Sequence, residues 1–68
     1  MTKRDATPME RYRLRYWLMK HHTSISSFAK RVGLHYATVE NFLEGWHSCK
    51  VSTIERILEE VLKEATDD

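Results

Sequence analysis

The sequence predicts an all-α domain of four short helices, the second and third forming a helix-turn-helix. Three observations lead there. Apolar residues recur at three- and four-residue spacings, with no strand-like alternation and no internal repeat. The single proline and the two glycines stand where a helix would start or stop. Ile25 to Glu44 reads as two short amphipathic segments around a glycine. The 68 residues allow one domain, 1–68, with 1–6 and 66–68 expected to fray.

The first helix is expected from Pro8 to about His21. Thr7 is a good N-cap, Pro8 suits the first helical position, and Glu10 completes a capping box. Met9, Tyr12, Tyr16 and Met19 form its apolar side, widened by Leu14, Trp17 and Leu18, while Arg11, Arg13, Arg15 and Lys20 fill the remainder. Ser24 reads as the N-cap of a second helix, Ile25 to about Val32, which buries Phe28, Ala29 and Val32. Gly33 stops it by tolerating the left-handed conformation. The third helix runs from about Tyr36 to Glu44, with Val39, Phe42 and Leu43 inward, and Gly45 ends it. A loop, Trp46 to Lys50, leads to a fourth helix from about Val51 to Ala65. Its stripe is Val51, Ile54, Ile57, Leu58, Val61 and Leu62.

Two short helices that cross closely impose requirements on a few positions. A small residue must sit where they nearly touch, a glycine must open the turn, and an apolar residue must plug the corner. The second helix must also bury residues three apart. Ala29, Gly33, Leu34 and the pair Val39 and Phe42 meet these requirements together.

With these residues in place the chain resembles the phage lambda repressor/Cro type of helix-turn-helix family. Leu43-Glu44-Gly45 is similar to the family's ending of the recognition helix, and Val51-Ser52-Thr53-Ile54-Glu55-Arg56-Ile57 to its fourth helix. The resemblance runs without gaps from Ser24 to about Leu62. It implies a compact four-helix fold, with room for a short extra turn. It also implies a bacterial or phage-encoded regulator, nucleoid-associated in the cytoplasm, which binds duplex DNA as a homodimer. Ile25 stands where the phage repressors carry glutamine, and His35 where a serine-like cap is usual.

A recognition helix fits the major groove, where each base pair shows a distinct donor and acceptor pattern. By the resemblance, Tyr36, Ala37 and Asn41 face bases, Asn41 being able to pair with adenine and Ala37 to touch a thymine methyl. Thr38 serves a base or a phosphate, and His35 and Glu40 lie beside them. Ser24, Ser26 and Ser27 would bring N–H groups and hydroxyls to a phosphate. His47 and Lys50 match the loop that touches the backbone. Arg11, Arg15, Lys30 and Arg31 are further candidates for phosphate contact or steering.

Charge is unevenly spread. Residues 1–50 carry +5 and residues 51–68 carry −4. The split fits a polyanion-facing side with an opposite side turned away, or two ordinary solvated faces. Glu40 and Glu44 put acids on the outward face of the third helix. They either solvate it, pair with arginine, accept from cytosine, or mark a fold turned to binding protein. The alternative function is therefore a protein-interaction module: an antitoxin, an antirepressor or a polymerase-binding factor.

Other classes find no support. One cysteine, Cys49, allows no internal disulfide and fits a reducing compartment. No apolar run approaches a membrane span. His21 and His22 are adjacent and diverge, and His47-Ser48-Cys49 lacks further ligands at zinc-like spacing, so no metal or other cofactor is expected. No phosphate loop or nucleophile pair suggests an enzyme, and no small-molecule ligand is evident. Trp17 is expected in the core. Trp46 has three expected roles: covering the core, stacking near the DNA backbone, or joining a dimer contact.

Overall fold

A computed structural model of the chain describes residues 2–65; the expected frayed tail at 66–68 lies outside the described residues. The elements run β1 (Lys3–Arg4), α1 (Pro8–Lys20), α2 (Ile25–Val32), α3 (Tyr36–Glu44), β2 (Cys49–Lys50) and α4 (Val51–Ala65). The protein is mostly helical, and the helices start and stop where local chemistry dictates.

The N-terminus of α1 is closed by a reciprocal capping box. Thr7 Oγ1 accepts the Glu10 N–H at 3.1 Å, and Glu10 Oε1 accepts the Thr7 N–H at 2.9 Å. The far end of α1 closes through His22, which takes a left-handed conformation (φ +51°) so that Thr23 N–H can reach the Leu18 carbonyl at 2.9 Å. Ser24 caps α2 by accepting the Ser27 N–H at 3.1 Å. Gly33 then turns left-handed (φ +73°), and Leu34 N–H bonds back to the Ala29 carbonyl at 2.8 Å. This double-bonded helix end is the corner of the helix-turn-helix. His35 begins α3 with no side-chain cap, and Gly45 ends it at φ +72°.

The core is wholly apolar among the described residues. Leu14, Phe28, Val39, Phe42, Ile54 and Ile57 are its largest fully buried side chains. Burying each contributes about 1.5–3 kcal/mol. Ala29 is buried beside them, and Trp17 meets Phe28 edge-on with ring centroids 5.2 Å apart.

Two features correct the sequence reading. The first is the face of α1. Met9, Tyr12, Tyr16 and Met19 are exposed, whereas Leu14 and Trp17 face the core. Apolar and aromatic residues stand on two opposite sides of the helix with charged residues between them, so its periodicity does not select one face. The second is a strand pair. Lys3 pairs with Lys50 and Arg4 with Cys49, antiparallel. The Thr2 carbonyl also accepts the Val51 N–H at 2.8 Å, serving one of the first amides of α4. The segment expected to fray is thus tied to the loop that follows α3 from residue 2 onward. A two-residue strand leaves no alternation to detect.

Candidate nucleic-acid interface

The outer surface of α3 meets the strand pair in a recess of about 380 Å³. Ala37, Thr38 and Asn41 form its α3 side, Lys3, Ser48 and Lys50 its strand side, and Leu34 and Thr53 also line it. Lys3 and Lys50 are register partners, and both are exposed. Like charges directly opposite on paired strands repel each other. Neither lysine has a carboxylate partner among the described residues. The site therefore sets two lysines without an ion-pair partner among the described residues beside the first turn of α3, whose free N–H groups add a partial positive charge of their own, with Asp5 at its rim through Ser48.

Tyr36 and Ala37 are exposed, as is His35, and Thr38 is half-buried. These four occupy the N-terminal turn of α3, with their side chains uncommitted to any described hydrogen bond. Ser24 and Ser27 are linked hydroxyl to hydroxyl at 3.2 Å, and Ser26 is exposed next to them. Lys30 is exposed on α2.

Several expected contact residues are occupied elsewhere. Asn41 is the clearest correction. Its Oδ1 accepts the His47 N–H at 2.9 Å, and its Nδ2 donates to the His47 carbonyl at 3.1 Å and to Cys49 Sγ at 3.4 Å. The amide that would pair with adenine instead folds the loop after α3. Arg31 is held by Glu60 at 2.6 Å and lies 5.3 Å above the Trp17 ring, so it bridges α2, α4 and α1. Arg15 donates to the Leu43 carbonyl at 3.4 Å, and the Arg11 guanidinium lies against Gly45. Both arginines thus stand at the C-terminal end of α3, where a cation complements the helix dipole, rather than at the end with free N–H groups.

Glu40 is half-buried and Glu44 exposed, and neither is paired among the described residues. They do not line the recess with Lys3 and Lys50. Helical spacing sets them on the Tyr36 flank, and Thr38 and Asn41 on the loop flank. His47 is exposed at its side chain while its backbone is fixed by Asn41, and Trp46 is exposed. Ser48 Oγ donates to Asp5 Oδ1 at 2.8 Å, which binds the same loop to the N-terminal segment.

Lys3, Ser48 and Thr53 belong to the recess but were not foreseen. Lys3 fell in a segment read as loose, and no sequence signal joins it to Lys50. Burial pushes the Cys49 thiol above its usual range and the nearby Asp5 charge adds to this, against the Asn41 hydrogen bond. The thiol is buried and accepts the Asn41 amide. Among the described residues no cluster of His, Cys, Asp and Glu could hold a metal ion, and no helix is long and apolar enough to cross a membrane. Comparisons with family models, with curated proteins and with solved structures gave no match to this chain.

Proposed function

We propose that the chain is a lambda repressor/Cro-like helix-turn-helix domain that binds duplex DNA through the first turn of α3. The observation that carries this reading is the Lys3–Lys50 pair, without an ion-pair partner among the described residues, beside exposed Ala37 and half-buried Thr38, with exposed Tyr36 on the next flank of the same turn. The lysines attract phosphate, and the α3 side chains reach base edges. Ser24, Ser26, Ser27, Lys30 and Lys50 supply the remaining backbone contacts. Acting as a dimer on a palindromic operator, with half-sites about one helical turn apart, the protein regulates transcription by occluding the site. Repression is the simplest outcome of such occupancy.

The test is duplex binding followed by fluorescence anisotropy across a salt series, with random and selected sequences. Affinity should fall steeply with salt. Replacing Lys3 or Lys50 by glutamine should weaken all sequences alike and reduce the salt slope by about one each. Arg31→Gln should act mainly on stability, because Arg31 is already paired with Glu60. No binding to any duplex at low salt would refute the proposal.

Glu40 and Glu44, without an ion pair among the described residues, favour a second reading, in which the far flank of α3 contacts a basic protein surface. A protein complex that survives high salt and is lost in Glu40→Gln/Glu44→Gln would select it.

A further inference from the structure

The least satisfied surface lies on the opposite side of α1 from its core-facing residues. Met9, Tyr12, Tyr16 and Met19 are 60%, 61%, 49% and 67% exposed, and Leu62 of α4 is 41% exposed. Their spacing along α1 is three, four and three residues, which is the spacing of a helix–helix seam. Tyr12 and Tyr16 stack on each other with centroids 6.3 Å apart. Between α1 and α4 the surface dips into a groove of about 260 Å³ lined by Met9, Tyr12, Tyr16, Val61 and Leu62 over Trp17. The five exposed side chains present roughly 500 Å² of mostly apolar area, given 150–250 Å² for a large side chain. A patch of that size is near the upper end of what a monomer exposes, and such patches are often functional. It supplies much of the roughly 800 Å² per partner that a standard interface buries.

We propose that this groove is the face on which two copies of the chain associate, each α1 packing across the α4 of the other. Charge chooses this occupant and this pairing. The seam on α1 is flanked by Arg13, Arg15 and Lys20, and the one acid of α1 itself, Glu10, is held by Arg4. Arg13 and Lys20 also border the groove. Stacking α1 on α1 would oppose these cations. Packing α1 on the second copy's α4 sets them against the exposed acids Glu55 and Glu59, the latter one turn before Leu62. Because both helices belong to every copy, the contact repeats itself by two-fold symmetry and closes. A groove that is concave and rimmed by cations also suits a helix better than the flat surface of a bilayer.

This deepens the dimeric part of the functional reading, yet it is tested without nucleic acid, so either can fail alone. Sedimentation equilibrium of the full chain should show a reversible dimer with micromolar dissociation. Tyr12→Glu/Tyr16→Glu alters only exposed side chains, should leave the thermal melt cooperative, and should give a monomer. Arg13→Glu should weaken the dimer about tenfold or more by placing like charges together, and adding Glu59→Arg should restore it. A chain that stays monomeric at high concentration overturns the proposal, whether or not it co-sediments with anionic phospholipid vesicles. So does a dimer indifferent to the tyrosine pair, or an Arg13→Glu loss that Glu59→Arg does not repair.

Discussion

Asn41 grips the backbone of His47 on both sides, accepting its N–H at 2.9 Å and donating to its carbonyl at 3.1 Å. One helical side chain thereby replaces a backbone partner for a loop residue that has left regular structure. Asn41→Ala should cost about 0.5–1.5 kcal/mol, the net worth of such hydrogen bonds where the exposed His47 groups can turn to water. Asn41→Asp keeps the acceptor and loses both donors, so it should fall between. Urea unfolding of the three proteins checks this order. Duplex binding by Asn41→Ala should weaken evenly across sequences; a change confined to one base position would return Asn41 to a base-reading role.

Gly45 and Gly33 are both left-handed, yet they are not equivalent. A Cβ on Gly33 would have its nearest neighbour at 3.8 Å, whereas one on Gly45 would meet Arg11 Nη1 at 2.6 Å. Gly33→Ala should cost the backbone term alone, about 1 kcal/mol. Gly45→Ala should cost slightly more, because the flexible end of Arg11 must also move aside. In the Arg11→Ala background the two alanine substitutions should become equal, which a double-mutant cycle by denaturation measures.

His22 occupies the left-handed region at φ +51° without being glycine. Such a residue is strained by about 1 kcal/mol. His22→Gly should raise the melting temperature by a few degrees, since the relief exceeds the extra freedom glycine gives the unfolded chain. Unchanged or lower stability would show that the histidine ring contributes more than the strain removes.

The Arg4 guanidinium, bonded at 2.8 and 2.9 Å, holds the Glu10 carboxyl down to about 2, helped by the Thr7 N–H and opposed by burial. A carboxyl depressed on folding stabilises the protein above its unfolded pKa, and that stability disappears as pH falls through the folded value. The loss should therefore occupy the range from about 4.5 down to about 2. Glu10→Gln should flatten this part of a stability–pH curve and lower stability near neutrality by at most about 1 kcal/mol, the pair being partly solvated.

The four helices were readable because each boundary carries its own chemistry: Thr7 with Pro8 and Glu10, Ser24, Gly33 and Gly45. The inward faces of α2, α3 and α4 were readable for the same reason, except that Leu62, expected in the α4 stripe, is exposed. The face of α1 was not, because tyrosines and methionines on one side balance leucines and tryptophan on the other. Only the positions of α3 and α4 decide which set is covered. At the candidate interface, the family resemblance pointed to Tyr36, Ala37 and Thr38 as accessible residues of α3. It could not show that the loop returns to Asn41, that Glu60 reaches Arg31, or that Lys3 comes to rest beside Lys50. Those are contacts between residues distant in the chain, and they leave no local pattern.

The pairing of Lys3–Arg4 with Cys49–Lys50 also bears on the order of events in folding. The α2–α3 corner is local, whereas α1 meets α3 and α4 only across intervening segments, and so does the strand pair. With only two residues on each strand to offset closing a loop from Lys3 to Lys50, the pair gains least from forming early and should be absent from the transition state. Substitutions that loosen it, such as Ser48→Ala at the Asp5 contact, should leave the refolding rate unchanged and speed unfolding instead. The strap would then act as a latch, adding nothing to how fast the domain assembles and setting how long it stays assembled.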